Sequence, residues 1–355
     1  MSYESALALS LTPYTAGEQP RDRTFIKLNT NENPYPPSPR AAEAAQAQFE
    51  LLPRYPDQTA AALREAIAQV HGLAPEQVFC GNGSDEVLAF AFAAFFAGKT
   101  LAAPDITYSF YPVYAKLFGV DYREVPLHAD FTVDVPGLLA QRAPIALANP
   151  NAPTSLALPL EELRRMAAHC RELEEVLLVD EAYAAFARED ARPLLDEFDN
   201  LLLVRTLSKS HGLAGLRVGY ALGSPRLTEA LARVKDSFNS YPLDRIAQAA
   251  AAAAVLDTAY TAQTVARVNA TRDKALEAIR HMGLTVLDSQ TNFLFVRGQA
   301  EDAAPALAFL RENGILVRHF TAPRLRPWLR ITVGTDADME QVTARLQMCK
   351  WKGLL

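Results

Sequence analysis

The chain has 355 residues, half of them hydrophobic and 21% charged, which suits one large or two medium globular units and excludes a disordered or fibrous chain. Its net charge of −6 leaves no basic excess for a phosphate backbone, so no nucleic acid is expected as a partner. Cys80, Cys170 and Cys349 are odd in number and scattered, which argues for a reducing compartment and against a disulfide framework.

The opening MSYESALALSLTPY has no basic segment before an apolar run, so no signal peptide is expected. The longest apolar run, Ala247 to Leu256 with Gln248 inside it, is too short and alanine-rich to span a bilayer. No membrane contact and a cytoplasmic location follow as expectations. The proline-rich beginning, through KLNTNENPYPPSPR, reads as an irregular arm. Helices are expected at 41–52, 59–71, 84–97, 108–118, 159–175, 224–235, 244–256 and 257–282. Strands are expected at 100–103, 122–126, 145–148, 175–179, 201–205 and 218–222. Strands alternating with helices imply βαβ units and a mostly parallel sheet. After residue 283 the pattern changes. GLTVLDSQTNFLFVRG reads as a hairpin, followed by a helix (304–313), two strands (314–318 and 329–333) and a last helix (336–349), a compact α+β unit.

Four short motifs carry candidate chemistry. GNGSDE, residues 81–86, leads through glycines into what reads as a helix start, with free backbone N–H groups that suit an anion or an ordinary N-cap. No Gly-Lys-Ser/Thr follows, so it is not a nucleoside-triphosphate loop. NPNAPTS, residues 149–155, offers side-chain amides on a proline-fixed turn, or is simply a turn. VDEAY, residues 179–183, ends an apolar strand with two carboxylates, which is costly unless they are paired or functional. The six histidines at 71, 128, 169, 211, 281 and 319 show no ligand spacing, so no metal site is expected.

The fourth motif is TLSKSHGLAGLRVGY, residues 206–220. It sets Lys209 just past a strand end among hydroxyls and glycines, where an amine can be desolvated into a nucleophile. Arg217, eight residues on, suits a phosphate through its fork geometry. GLAGLRVG is not the G-x-G-x-x-G dinucleotide fingerprint, so a nicotinamide enzyme is the weaker reading. An anion site, an acid, a tyrosine, a lysine and an arginine together fit an aldehyde-bearing, phosphorylated, protonated pyridine: pyridoxal 5'-phosphate.

These motifs resemble the fold type I aminotransferases that use pyridoxal phosphate, and most closely the histidinol-phosphate aminotransferase family. The resemblance runs nearly end to end: LNTNENPYP, RYPD at 54–57, GNGSDE, NPNAPTS, DEAY, TLSK…GLRVGY and GILVRHF…PRLRPWLRITVGT. It implies an α/β fold with a large cofactor domain at 36–245 built on a seven-stranded, mostly parallel sheet. A small α+β domain at 246–355 would be joined by the arm, residues 1–35. It implies that Lys209 binds the cofactor covalently and moves the proton. Asp180 pairs with the ring nitrogen, and Tyr183 bonds the ring hydroxyl oxygen. Gly83, Ser84, Asp85, Thr206, Ser208 and Arg217 surround the phosphate, and Tyr108 stacks on the ring. Tyr55 reaches the partner subunit's cofactor in a homodimer. Arg330, with Arg318 and Asn292, would hold the substrate. The family's asparagine loop reads N-P-N-N-P-T-G, whereas Ala152 precedes Pro153 here, so Asn151 is the nearest substitute.

The activity implied is transamination between L-histidinol phosphate and 2-oxoglutarate (in reverse, imidazole-acetol phosphate and glutamate) in histidine biosynthesis. Alternatives on the same fold are an aromatic amino-acid aminotransferase and a threonine-phosphate decarboxylase. A non-catalytic, cofactor-binding regulatory module is disfavoured, since Lys209, Asp180 and Arg330 are all present.

Overall fold

A computed structural model describes residues 3–13, 17–20 and 24–355. Its strands, in chain order, are β1 (Ile26–Lys27), β2 (Val78–Asn82), β3 (Thr100–Pro104), β4 (Asp121–Val125), β5 (Ile145–Ala148), β6 (Leu177–Asp180) and β7 (Leu201–Thr206). They continue with β8 (Val218–Leu222), β9 (Thr285–Val286), β10 (Phe293–Arg297), β11 (Ile315–Leu316), β12 (Arg318–His319) and β13 (Trp328–Thr332).

The central sheet has the order β2-β8-β7-β6-β5-β3-β4. Within it β8 is antiparallel to both neighbours, and the other adjacent pairs are parallel. Its middle strands read IALA, LLVD and LLLVRT because both faces are covered, so no polar face is needed. Side chains alternate between two cores. Leu177, Val179, Leu201 and Leu203 pack with the helices Ala61–His71, Leu160–Glu172 and Arg245–Leu256. Leu178, Leu202 and Val204 pack with Ser84–Ala91 and Pro225–Phe238 on the other side.

Several elements differ from expectation. The seventh strand, β2, was not legible: VFCGN is short and runs straight into glycine-rich turns. The helix expected at 41–52 ends at Gln46 and gives way to a short 3-10 turn, Phe49–Leu51. The one expected at 84–97 is α-helical only to Ala91, then widens into a π stretch, Phe92–Phe96, where Phe92 packs against Tyr111 and Tyr114. The helix expected from 108 begins at Tyr111, with Pro112 in its first turn, so Tyr108 lies on the loop before it. Strand β6 reaches Asp180, which registers with Ala148 and Val204.

The smaller sheet is antiparallel, β12-β13-β10-β9, and its β9–β10 pair is the expected hairpin. The strand expected at 314–318 is split: β11 pairs with the arm strand β1, and β12 with β13. The arm is therefore inlaid, with Leu28, Asn29 and Asn31 buried. Ala247, Ala250, Ala251 and Ala254, from the helix Arg245–Leu256, sit in the large-sheet core. Among the described residues, no helix is long and apolar enough to cross a membrane.

The close approach of β8 to the next element shapes the site. A Cβ on Gly219 would lie 2.2 Å from the Ser84 nitrogen and 2.4 Å from the Gly83 carbonyl carbon, so only glycine lets the helix Ser84–Ala91 start there. Gly219→Ala should destabilise the fold by roughly 1–3 kcal/mol through overpacking. Denaturant unfolding against Gly215→Ala, where a Cβ meets nothing within 4 Å, measures it.

Candidate active site

The carboxyl ends of the parallel strands, the start of β8 and the arm enclose a cavity of about 450 Å³. This is the edge at which open α/β sheets place ligands.

One end of the cavity is built for an anion. Ser84 and Asp85 begin a helix whose first N–H groups lack intrahelical partners and carry the positive end of its dipole. Arg217 lies just before β8, and its guanidinium donates to Asp85 Oδ2 at 3.1 Å. Gly83 does not line the cavity but makes room for that guanidinium: its φ is +84°, and a Cβ there would lie 2.6 Å from Arg217 Nη2. Thr206 and Ser208 complete this end. The Thr206 hydroxyl accepts from the Ser208 N–H at 3.1 Å and donates to the Ser208 hydroxyl at 3.0 Å.

Asp180 is buried in the floor, and burial pushes its carboxyl up to about 7, with the nearby Asp85 adding to the shift. The Ala182 N–H at 3.1 Å and the Tyr111 hydroxyl at 3.3 Å partly offset this. Lys209 lies on a single helical turn after β7 and donates to the Thr30 carbonyl oxygen at 3.0 Å. Burial, reinforced by the Arg330 charge, lowers its amine to about 8, against the pull of Glu32 and Asp85. Tyr108 donates to Asp85 Oδ1 at 2.6 Å, and burial followed by the Asp85 charge raises its phenol well above the ordinary value. Tyr183 faces the same space and receives a hydrogen bond from Asn31 Nδ2 at 2.8 Å.

Arg318 and Arg330 form the other basic end. They are directly opposed residues of β12 and β13, and both line the cavity. Opposed like charges repel, and an anion bound between them relieves that repulsion.

Three expected site residues lie elsewhere. Asn151 is spent on its own loop: its amide donates to the Ile106 carbonyl at 2.9 Å and to the Thr154 hydroxyl at 3.0 Å, and its oxygen accepts from the Thr107 hydroxyl at 2.9 Å. The neighbouring Ala152 lines the cavity instead. Asn292 is fully buried and donates to the Asn31 carbonyl at 3.0 Å, holding the arm rather than facing the cavity. Tyr55 is 79% exposed and stacks on Tyr241 at 4.9 Å, outside this chain's own cavity.

Sequence reasoning assigned no role to Asn29, Thr30, Asn31 or Glu32, which line the cavity from the arm, or to Tyr111, which braces Asp180. The run NTNEN, four polar residues and a threonine between Leu28 and Pro34, is the one sequence signal for the former.

Residues 23–346 match the family described as aminotransferase class I and II, and the chain belongs to that family. Within it, the chain is 51% identical to the histidinol-phosphate aminotransferase of Gluconacetobacter diazotrophicus, over 95% of this chain and 94% of that protein. It is 50% identical to histidinol-phosphate aminotransferase 2 of Thiobacillus denitrificans, over 97% of each. Among solved structures, the histidinol-phosphate aminotransferase of Sinorhizobium meliloti in complex with pyridoxal-5'-phosphate superposes with a TM-score of 0.87 at 29% identity, covering 98% of this chain and 97% of that one. The fold is thus that of the fold type I aminotransferases.

Only an unprotonated amine adds to a carbonyl, so aldehyde capture by Lys209 should rise with pH and level off above about 8. Arg330→Gln removes a like charge and should move that midpoint upward. Stopped-flow absorbance of the apoprotein mixed with pyridoxal, with Lys209→Ala as the blank, reads both. A midpoint near the ordinary 10.5 would contradict the assignment.

Proposed function

We propose that this chain is a pyridoxal-phosphate-dependent aminotransferase that transfers the amino group between L-histidinol phosphate and 2-oxoglutarate, as a cytoplasmic enzyme of histidine biosynthesis. One observation carries the reading: Lys209 and Asp180 share a cavity that has a separate basic group at each end. One end suits the cofactor's phosphate and the other an anionic substrate group.

The residues fit the cofactor. Asp180 is a buried acid held near neutrality by desolvation, and a protonated ring nitrogen supplies the cation that burial withholds. The cradle formed by Ser84, Asp85 and Arg217 would be filled by a Cβ at Gly83. Thr206 and Ser208 add hydroxyls to it. Bound there, the cofactor supplies a carbonyl carbon for the amino group and a ring that takes up the electron pair left at Cα.

This chain's residues do the rest. Lys209 Nζ, neutral above about 8, accepts the proton from the substrate Cα and later returns it. Asp180 keeps the ring nitrogen protonated. Tyr183 Oη bonds the ring hydroxyl oxygen, and Tyr108 flanks the ring. Arg330, with Arg318 beside it, anchors the carboxylate of glutamate or the phosphate of histidinol phosphate, since both suit the guanidinium fork. Asn151 and Asn292 act indirectly, by shaping the loop before Ala152 and by seating the arm.

The functional unit in this reading is a homodimer in which Tyr55 enters the partner's site. Phe49, Leu51, Leu52, Tyr55, Phe238 and Tyr241 are large exposed apolar or aromatic residues of the kind that a subunit contact covers. The cofactor domain extends to about residue 256. The arm belongs with the smaller unit through the β1–β11 pair.

Lys209→Ala should abolish the cofactor's protein-bound absorbance and transamination together. Steady-state rates with histidinol phosphate against phenylalanine, each with 2-oxoglutarate, separate this substrate from the aromatic amino acids; a preference for phenylalanine would overturn the substrate assignment. Arg330→Ala should lower kcat/KM roughly 10- to 100-fold for both phosphate and carboxylate substrates, as for loss of a charged hydrogen bond. If Tyr55 acts across the interface, mixing inactive Tyr55→Ala and Lys209→Ala chains should restore part of the activity, because one site per mixed dimer is then complete. No recovery on mixing would place Tyr55 outside the partner's site.

A further inference from the structure

We propose that Asn33 is a positioning residue for Lys209: its side-chain amide ties the lysine's helical turn to the arm and so sets where the amine can reach. The inference rests on the reading of Lys209 as the group that takes the substrate's Cα proton.

The turn needs an outside partner. Leu207–Ser210 is four residues long, and the chain reverses just after it at Gly212, whose φ is +68°. The last carbonyls of a helix find no partner further along it. Asn33 supplies two donors: its Nδ2 donates to the Lys209 carbonyl at 2.9 Å and to the Ser210 carbonyl at 3.2 Å. Its Oδ1 accepts from the Tyr35 N–H at 3.0 Å. None of these three partners can change role, because a carbonyl only accepts and a backbone N–H only donates. The direction of the Asn33 amide is fixed accordingly, with its nitrogen on the turn and its oxygen on the arm.

The arm is anchored on its far side, so Asn33 holds the turn against something firm. The Arg267 guanidinium lies 3.8 Å over the Tyr35 ring, and the Tyr260 hydroxyl donates to the Pro36 carbonyl at 2.9 Å. Both belong to the helix Thr258–His281. The Ser38 hydroxyl donates to Asp257 Oδ2, just before that helix, at 2.5 Å. Pro34, Pro36 and Pro37 fix φ in the stretch between. The contact with the turn is close: a Cβ on Gly212 would lie 3.0 Å from the Tyr35 carbonyl oxygen and 3.2 Å from the Pro37 nitrogen. One segment therefore grips the lysine twice, its backbone through Asn33 and its Nζ through the Thr30 carbonyl at 3.0 Å. A lysine amine ends a flexible stem, so holding the backbone at its root limits where it can go.

Asn33→Ala removes the amide, and Asn33→Asp keeps the acceptor for Tyr35 while setting a carboxylate against the two carbonyls. Each should lower kcat for transamination about tenfold, the effect of two neutral hydrogen bonds, with KM within about twofold because Arg318 and Arg330 are untouched. The kinetic isotope effect with glutamate deuterated at Cα should grow, since proton transfer then limits the rate more strongly. The separating measurement is made on cofactor-loaded Lys209→Ala with methylamine in solution as the proton acceptor. A free amine is not tethered to the turn, so adding Asn33→Ala should leave the amine-dependent rate unchanged. A tenfold loss that persists there would overturn the proposal, as would wild-type kcat and isotope effect in both Asn33 variants. An impaired Asn33→Ala beside a wild-type Asn33→Asp would also overturn it, by assigning the residue to the Tyr35 turn alone. Lys209→Ala that transaminates at the wild-type rate without added amine would overturn the reading of Lys209, and this inference with it. Where one Asn33 variant does not fold, the other carries the comparison.

Discussion

Desolvation at one edge of one sheet governs this molecule. Asp180 and Lys209 sit at the ends of adjacent strands where water is largely excluded, and burial disfavours the charged form of each. The acid is pushed up and the amine down, so both titrate within about a unit of neutrality. An acid and an amine with such values are costly in a protein that does not use them, and useful in one that must move protons and hold a cationic ring. The surrounding groups trim these shifts without reversing them: Tyr111 and the Ala182 N–H relieve Asp180, and the Arg330 charge deepens the shift on Lys209.

The two basic ends of the cavity follow from the same arrangement. At one, a helix start and Arg217 meet over Gly219, whose missing side chain allows the approach. At the other, Arg318 and Arg330 are forced opposite one another by strand register in the smaller sheet. A ligand spanning the cavity therefore links the large sheet to the small one. The arm contributes to both, because β1 is pinned to β11 while Thr30 touches Lys209 and Asn31 touches Tyr183. An element that reads as irregular in isolation thus becomes part of the wall.

Much of the cavity's lining was legible in the chain. Lys209, Asp180, Ser84, Asp85, Thr206, Ser208 and Arg217 each stand at a boundary between an apolar run and a glycine or hydroxyl cluster, and such boundaries are local. Asn151, Asn292 and Tyr55 show the limit of that reading. An asparagine in a turn has the same residue type whether its amide faces a ligand or the next loop, and only the loop at Ile106 and Thr107 decides it. Tyr55 leans on Tyr241, far along the chain. The helix Arg245–Leu256 was legible as a helix, yet its alanines carry no mark of which core they fill.

The sequence by itself determined the alternation of strands and helices, the apolar strands buried on both faces, and the lysine, acid and arginine at their ends. These depend on periodicity and on neighbours within a few residues. Tertiary structure alone decided the seventh strand's place beside β8, the opposition of Arg318 and Arg330, and the hold of Asn33 on the Lys209 turn. Those relations join residues separated by up to 177 positions. Pairing register and hydrogen bonding between such distant segments are properties of packing, and no local pattern encodes them.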